Sequence, residues 1–243
     1  MPRSLKTAEI EKNSHLDYFN IAVSVDCVIF GYDNKELKVL LIKSDLEEFT
    51  GLWSLLGDLV RLDEDIESAP YRVLKERTGL DDVYLDQVYT FGDLGRHPSG
   101  RVITTAYYSL IDIKHQLKLT HNELHWHKVN DIRKLAFDHK NILDRSLERL
   151  REQVMEHPII FNLLPEKFSL RELQDLYQAI LGVNLDRRNF RKKIAHKDWL
   201  LDLDEMENDV PHRPGKLYKA KTQFRKNPGK RKTNRAEARS LID

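Results

Sequence analysis

The sequence has little of three features that would place a protein outside the cytosol: cysteine, long apolar runs and a leader peptide. Cys27 is the only cysteine in 243 residues, so no internal disulfide can form, which suits a reducing compartment. No run of about 18 apolar residues occurs, and we therefore expect no membrane-spanning helix. Residues 1–15 are polar and lack the apolar core of a secretory signal. These absences predict a cytoplasmic protein with no membrane partner.

Acidic residues are absent from a long C-terminal stretch. Between Pro211 and Ala236 there are ten basic residues and no acidic one. From Asp186 to the end the sequence has 17 Lys and Arg against 9 Asp and Glu, whereas the remainder has 23 against 30. The formal net charge of +1 therefore hides a basic C-terminal part, which favours a polyanionic partner. The alternative, a solvated tail, explains the final residues but not the basic positions further upstream.

The first 157 residues have the pattern of an α/β domain. Apolar and β-branched runs predict strands at residues 18–30, 37–42, 52–56, 83–91, 102–113 and 124–129. Two amphipathic helices are predicted, at about 65–78 and 141–156. The first is expected to begin at an Asp65 N-cap, to end at Gly79 and to be kinked in its first turns by Pro70. Its apolar face is expected to comprise Ile66, Ala69, Val73 and Leu74. Strands mixed with two packed helices predict an α/β/α sandwich with a mixed sheet.

The stretch GDLVRLDEDIESAPYRVLKERTGL, residues 57–80, resembles the signature of the Nudix family. That signature is G-x5-E-x7-R-E-U-x-E-E-x-G-U, where U is aliphatic, and the family usually has a further glycine just before it. Gly57 takes the place of that preceding glycine, and Asp58 takes the place of the signature glycine. Glu64, Arg72 and Gly79 match the family pattern.

The resemblance implies hydrolysis of a nucleoside diphosphate-linked substrate, with Mg²⁺ held on carboxylates. Three positions on one helix face would carry those carboxylates, but the sequence has Val73, Glu76 and Arg77 there. Glu76 is expected to pair with the adjacent Arg77 rather than to bind a divalent cation, so we expect no catalytic residue, no metal and no cofactor. The alternative is a Nudix hydrolase that uses Mg²⁺ on carboxylates from outside the signature. Glu64 and Arg72 are expected to form an ion pair that holds the loop to the helix.

Residues 89–110, YTFGDLGRHPSGRVITTAYYSL, resemble the corresponding segment of Nudix-type regulators and of ADP-ribose-acting relatives. Arg96 and Arg101 are candidate effector-binding residues, because a guanidinium can bind phosphate or sugar hydroxyls. Solvated loop charges are the alternative for both. Phe91 and Trp53 are candidates for the walls of an effector pocket, although an aromatic residue in a strand is more often part of the core.

Three histidines near the last strand of this domain are weak candidates for a metal site. His125 and His127 share one strand face, and His121 lies just before them. No cysteine supports them, and we predict that they bind no metal.

Residues 158–225 have the pattern of a winged helix-turn-helix domain. The segment FNLLP, residues 161–165, is an apolar connector that we expect to pack. Ser169 and Glu172 form a capping box that starts a helix ending at Gly182. Asp186 caps a second helix, predicted over residues 186–200. After the acidic stretch at 202–209, residues 212–221 predict a β-wing.

The second helix and the wing carry the candidate DNA-binding residues. These are Arg187, Arg188, Asn189, Arg191, Lys192, Arg213, Lys216 and Lys219. Lys and Arg would contact phosphates, while side chains early in the helix would contact bases. A solvated basic face is the alternative, and an RNA-binding or scaffolding protein is a third hypothesis.

Residues 15–225 resemble the Nudix-related transcriptional regulators, and residues 170–194, LRELQDLYQAILGVNLDRRNFRKKI, carry much of the resemblance. It implies a homodimer that binds a palindromic double-stranded operator and responds to a small effector, either a pentose such as arabinose or an ADP-ribose-type metabolite. The expected division is a flexible arm at 1–14, an effector-sensing domain at 15–157, a winged helix at 158–225 and a disordered basic tail at 226–243.

Overall fold

The computed structural model describes residues 21–81, 83–113, 123–208 and 213–221. The predicted arm at 1–14 and the predicted tail at 226–243 lie outside these residues. Within the described residues, no helix is both long enough and apolar enough to cross a bilayer.

Seven strands of the described residues form a mixed sheet in the N-terminal domain. They are β1 Ala22–Asp33, β2 Glu36–Lys43, β3 Trp53–Ser54, β4 Leu56–Leu59, β5 Leu85–Phe91, β6 Val102–Asp112 and β7 Leu124–Lys128. Along the sheet the order is β3-β2-β1-β6-β5, with β4 also paired to β1 and β7 to β2. β1 and β6 are parallel, whereas the other pairs are antiparallel. The central strand β1 therefore contacts three neighbours and places its side chains at the centre of the domain.

The first hairpin is tighter than the sequence predicts. We expected an interruption from Gly31 onward, but β1 continues to Asp33 and only Asn34 and Lys35 form the turn, with φ of 50° and 63°. Two successive positive φ values match the right-handed twist of paired strands. Gly31 is needed within the strand because a Cβ there would lie 2.8 Å from Cη2 of Trp126.

Two helices cover opposite faces of the sheet. Along β1, Val28 and Phe30 belong to one buried cluster, while Cys27 and Ile29 belong to the other. Helix α1, Ala69–Thr78, packs on the second cluster, and helix α2, His139–Glu156, packs on the first. This period-two alternation confirms the predicted α/β/α sandwich.

Helix α1 begins later than predicted. Its N-cap is Ser68, not Asp65, and Pro70 stands in the first turn, where its missing N–H removes no helical hydrogen bond. The predicted kink at Pro70 is therefore wrong. The carbonyl of Asp65 accepts from the N–H groups of Ser68 and Ala69, so a separate turn precedes the helix. Ile66 lies outside the helix and is 39% exposed, whereas the other three predicted apolar positions are buried.

The C-terminal part is a winged helix, as predicted. Its elements are β8 Phe168–Ser169, α3 Leu170–Leu181, α4 Arg187–Lys197, β9 Leu200–Met206 and β10 Lys216–Ala220. Both predicted caps are present: Ser169 and Glu172 form the capping box, and the Asp186 side chain accepts from the N–H of Asn189. Gly182, with φ of 71°, ends α3.

Two details of the winged helix differ from the prediction. Helix α4 stops at Lys197 because Asp198 adopts a left-handed conformation, with φ of 52°, and Trp199 enters the core. The acidic stretch is not a spacer before the wing. It forms most of β9, which pairs with β10, and its carboxylates lie beside the basic side chains of the partner strand.

One buried cluster continues from the sheet into the winged helix. Phe161 of the connector is 1% exposed and stacks on Phe168, with ring centroids 5.6 Å apart, so the connector packs as predicted. Two hydrogen bonds tie α2 to α3: Tyr177 donates to the carbonyl of Val154 at 3.0 Å, and Arg151 Nε donates to the carbonyl of Ile180 at 2.8 Å. Helix α2 therefore touches both domains.

Candidate functional site

The signature loop is fastened to α1 by Arg72. Its Nε and Nη2 donate to the two carboxylate oxygens of Glu64 at 2.8 and 2.7 Å, as the sequence predicted for this pair. Nη2 also donates to the carbonyl of Leu59 at 2.9 Å. The pKa of Glu64 falls to about 2, mainly because Arg72 donates to its carboxylate and further because the N–H of Arg61 donates to it. The pair is bidentate and largely shielded from water, and it braces the loop.

Two further carboxylates of this segment, Asp58 at the glycine position and Glu76, are also held by arginine. Asp58 Oδ2 accepts from Arg72 Nη1 at 2.8 Å. We predicted that Glu76 would pair with its neighbour Arg77. Instead, Glu76 accepts from Arg61 at 3.1 Å and from Arg72 at 3.2 Å. The reason is geometric, because consecutive helical residues diverge by about 100° while Arg72 lies one turn before Glu76.

A Nudix domain implies a Mg²⁺ ion on these carboxylates, and the side chains present do not fit one. Val73 is buried in the core and offers no oxygen. Asp58, Glu64 and Glu76 each accept hydrogen bonds from a guanidinium that would have to leave before a cation could enter. Across the described residues, no group of three or more His, Cys, Asp or Glu side chains is placed to hold a metal ion.

A cavity of about 300 Å³ opens above the signature loop, between the ends of the central strands, α1 and the start of α2. Its charged and histidine side chains are Asp26, Lys43, Asp45, Asp58, Arg77, Arg96, His97, Glu123 and His139. A volume of this size suits a small-molecule ligand.

The floor of the cavity is a buried network around Asp26. Asp26 is 5% exposed, and its Oδ2 accepts from Thr104 Oγ1 at 2.8 Å. Arg96 Nη2 lies 3.6 Å from the same oxygen. Arg96 also forms a two-point pair with Asp138, at 3.0 and 2.7 Å. The solvated-loop alternative for Arg96 is therefore wrong, since its side chain is 4% exposed.

His139, the first residue of α2, completes the floor. Its Nδ1 accepts from the N–H of Leu55 at 3.0 Å, so in the neutral ring the proton is on Nε2, which lies 3.4 Å from Asp26 Oδ1. Burial lowers the pKa of His139, which favours the neutral ring. Gly57 is required beside this network, because a Cβ there would meet Asp26 Oδ1 and lie 2.8 Å from the carbonyl of Val25.

An aromatic wall borders the cavity on the side of α2. Phe137 stacks on His97, with ring centroids 5.0 Å apart and planes 19° from parallel, and it also contacts Phe49 at 4.4 Å. Phe137 has a φ of 52°, a strained conformation for a residue with a side chain. The strain marks a ring whose position is fixed by its surroundings, and it faces the ligand space.

The remaining predicted effector residues lie away from this cavity. Arg101 donates to the carbonyls of Gly92 and Asp93 at the base of its own loop. Phe91 is buried in the sheet core, and Trp53 packs between His125 and His127 with centroids 5.2 and 4.4 Å away. The two histidines thus share a face, as expected, but they contact an aromatic ring; His121 lies outside the described residues.

Sequence reasoning missed several cavity residues. Asp26 lies in the middle of an apolar run, and a charged residue at an inward-facing strand position was the available signal. Phe137 and His139 carry no such signal in the sequence, because their role depends on the left-handed bend before α2. Lys43 and Glu123 line the cavity only because β2 and β7 are neighbours.

A basic surface covers the winged helix. The five candidate residues of α4 are all exposed, and Asp186 fixes the start of the helix that carries them. Arg187 and Arg191, one turn apart, line a cleft against the wing together with Arg213 and Lys216. Such a cleft can seat a phosphate backbone beside the helix.

The wing is less basic than its sequence indicates. Lys216 donates to Asp202 at 3.0 Å and to Asp204 at 3.3 Å, both on β9. The bond to Asp202 raises the pKa of Lys216, and the pKa of Asp202 falls because the N–H of Asp204 and then Lys216 donate to it. Lys219 is half-buried. Their predicted contacts with DNA remain predictions.

Comparisons with known proteins agree with both halves of the fold. The family model described as the NUDIX domain matches residues 20–149, and that described as the NrtR DNA-binding winged helix domain matches residues 160–220. The chain is 33% identical over 209 residues to the "ADPR responsive transcriptional repressor NtrR" of Acinetobacter baylyi, covering 84% of this chain and 83% of the relative. It is 34% identical over 129 residues to an ADP-ribose pyrophosphatase of Methanocaldococcus jannaschii, covering 52% of this chain and 73% of that enzyme.

A solved structure covers both domains. The crystal structure of Shewanella oneidensis NrtR complexed with a 27mer DNA aligns with a TM-score of 0.74 at 30% identity, over 82% of this chain and 93% of that one. A Nudix-type domain joined to a winged helix with a basic second helix defines a DNA-binding regulator. The chain belongs to the family of Nudix-related transcriptional regulators. DNA binding and regulation of transcription are therefore its function.

Proposed function

We propose that this protein is an ADP-ribose-responsive transcriptional repressor whose Nudix-type cavity binds the metabolite without hydrolysing it. ADP-ribose changes the affinity of the winged helix for its operator. The observation that carries the proposal is the cavity, whose walls combine a stacked aromatic pair, basic side chains and carboxylates. The similarity to an ADPR-responsive repressor supports the same effector.

The chemistry of the cavity suits ADP-ribose better than a pentose. A purine needs an aromatic surface, which Phe137 and His97 supply. A diphosphate needs cations, and Arg77 and Lys43 line the same space. Ribose hydroxyls need acceptors, which Glu123 and other cavity carboxylates can provide. A free pentose has neither a base to stack on the aromatic wall nor a phosphate to bind the cavity cations.

We propose that hydrolysis is absent because the signature carboxylates serve the fold. Arg72 and Arg61 hold the oxygens of Glu64 and Glu76, and Val73 and Arg77 replace the other two carboxylates of the signature. Release of AMP and ribose 5-phosphate from ADP-ribose in the presence of Mg²⁺ should not exceed that of a buffer control. Turnover that Glu76→Gln abolishes would instead favour the hydrolase.

Helix α2 supports a route from the cavity to the DNA-binding domain. Asp138 and His139 at its start belong to the cavity floor. Near its other end, Val154 accepts from Tyr177 of α3, and Glu156 lies 3.4 Å from Lys197 of α4. A ligand that binds one arrangement of these contacts more tightly shifts the population toward it. The response can be no larger than that difference in affinity.

We further propose that the protein acts as a cytoplasmic homodimer on a palindromic operator, because one basic helix per protomer would then read each half-site.

Thermal unfolding with ADP-ribose, D-ribose, arabinose and AMP tests the choice of effector. A ligand at about 100 times its Kd stabilises the fold by about 2.7 kcal/mol, which raises the melting temperature by several degrees. We expect this shift with ADP-ribose and none with arabinose; the reverse pattern would contradict the proposal.

A further inference from the structure

Glu207 is the only acidic residue among the described residues that line the basic cleft between α4 and the wing. The basic residues of that cleft are Arg171, Arg187, Arg191, Arg213 and Lys216. A carboxylate beside a DNA backbone opposes binding, because like charges repel. The contacts of Glu207 explain why an acid lies there.

Glu207 closes the base of the wing on Gly215. It directly follows β9, and Gly215 directly precedes β10. The N–H of Glu207 donates to the carbonyl of Gly215 at 2.9 Å, and its Oε2 accepts from the N–H of Gly215 at 2.8 Å. The pairing of β9 with β10 is irregular between Lys216 and Tyr218. The two bonds to Gly215 therefore fix the end of the hairpin from which the wing projects.

The same carboxylate oxygen ties the wing to α3. Arg171, in the first turn of α3, donates through Nη2 to Glu207 Oε2 at 3.3 Å. The Glu207 side chain is 10% exposed, so this charge-assisted contact is largely shielded from water. A Cβ at Gly215 would lie 3.1 Å from Glu207 Oε2 and 3.7 Å from Cβ of Ser169, the N-cap of α3. The base of the wing is thus packed closely against the start of the helix-turn-helix.

We infer that Glu207 is a positioning residue for DNA binding, whose carboxylate holds the wing at the distance from α4 at which one DNA backbone contacts both. Through Gly215 it places Arg213 and Lys216 opposite Arg187 and Arg191 across the cleft. The acid therefore strengthens DNA binding despite its charge. The inference concerns the DNA-binding surface and holds whichever metabolite the cavity binds.

Fluorescence anisotropy tests the inference on the full-length protein without effector, using a duplex that the wild type selects from a random library. Glu207→Ala removes the acceptor oxygen and should weaken binding by about tenfold, although the cleft loses a negative charge. Glu207→Gln keeps a neutral acceptor of the same reach and should restore the affinity to within about threefold of wild type. Glu205→Ala is the matched control, since it removes the same charge from β9 but Glu205 pairs with Lys167, at 2.6 Å. It should bind within about twofold of wild type.

The salt dependence separates positioning from charge. A displaced wing withdraws its cations from the phosphates, so the slope of log K against log salt concentration should become shallower in Glu207→Ala by about one phosphate contact. If Glu207 only repelled DNA, its removal would tighten binding and leave the slope equal or steeper. Far-UV circular dichroism at the assay temperature should show that all three variants are folded.

Hydrogen exchange of the Gly215 N–H, followed by NMR, tests the bond in the wild type and does not depend on a folded variant. Exchange as fast as in an unstructured peptide overturns the inference. Binding by folded Glu207→Ala at wild-type affinity or tighter overturns it, as does a Glu207→Gln variant that binds as weakly as Glu207→Ala. Equal weakening by Glu205→Ala would do the same. None of these outcomes alters the response to ADP-ribose that the proposed function requires, which is measured separately.

Discussion

At the scale of single residues, Arg72 gives the Nudix signature segment a structural role. Its guanidinium reaches Asp58, Glu64, Glu76 and the carbonyl of Leu59. Removing it would leave several carboxylates facing one another at the loop. The signature is therefore under a structural requirement that does not depend on hydrolysis.

The Glu64–Arg72 pair makes stability depend on pH in the acidic range. Because the pKa of Glu64 is lowered to about 2 in the folded protein, its contribution is complete above the unfolded-state pKa of about 4.3. It is lost as the pH falls through the folded-state value. We expect Glu64→Gln to lower the free energy of unfolding near pH 6, and the difference from wild type to shrink steadily below about pH 4. Urea unfolding of both proteins at a series of pH values measures this difference in the free energy of unfolding. A difference that grows on acidification would refute the assignment of a stabilising Glu64–Arg72 pair.

Phe137 provides a second test at this scale. If its ring stacks on adenine, Phe137→Ala should weaken ADP-ribose binding by about tenfold or more, in line with the energies of base–aromatic contacts. Binding of ribose 5-phosphate, which has no base, should not change. Calorimetry with both ligands makes the comparison, and equal weakening of the two would show that the ring only shapes the cavity.

At the scale of elements, patterns within a single segment were predicted well and contacts between segments were not. The strands, the capping box at Ser169 and the buried face of α2 follow from periodicity and local hydrogen bonding. The start of α1 was misplaced because Asp65 and Ser68 are both good caps, and only the fold decides between them. The wing was misread because charge was taken as a sign of exposure rather than of pairing across strands.

Helix α2 is the element whose role is most open to test. Tyr177→Phe removes the hydrogen bond to Val154 while keeping the ring, and it should lower the free energy of unfolding by about 1 kcal/mol. If α2 transmits the signal, the ratio of DNA affinities without and with ADP-ribose should move toward one. Tyr89→Phe, at a 55% exposed position on β5, is the control and should change neither quantity. An unaltered ratio in Tyr177→Phe would place the coupling elsewhere.

At the scale of the whole molecule, the charge asymmetry of the sequence corresponds to two domains with different roles. The basic residues are concentrated on α4 and beyond, while the acidic N-terminal part holds the cavity. The class of fold could be predicted because each domain has a local signature. The cavity itself could not be predicted, because it is formed by segments that only the sheet order brings together. These segments are β1, β7, the loop before β6 and the start of α2.

The DNA-reading surface is tested by removing two of its cations. Arg188→Ala with Arg191→Ala should abolish specific binding to a duplex selected by the wild-type protein from a random library. The slope of log K against log salt concentration should also become shallower, by the amount expected for the loss of about two phosphate contacts. The thermal unfolding temperature should stay the same. Lys75→Ala with Arg145→Ala removes two charges outside the winged helix, and an equal loss of affinity in that control would contradict the recognition-helix assignment.

The most direct measurement is fluorescence anisotropy of that selected duplex, titrated with the protein at fixed salt in the absence and presence of saturating ADP-ribose. We expect ADP-ribose to weaken binding by about 5- to 150-fold, the usual range of coupling between two sites. Arabinose should have no effect, and an excess of EDTA should not alter the response to ADP-ribose. Identical binding curves with and without ADP-ribose, from a protein that binds the metabolite in calorimetry, would contradict the central claim that the cavity controls the DNA-binding domain.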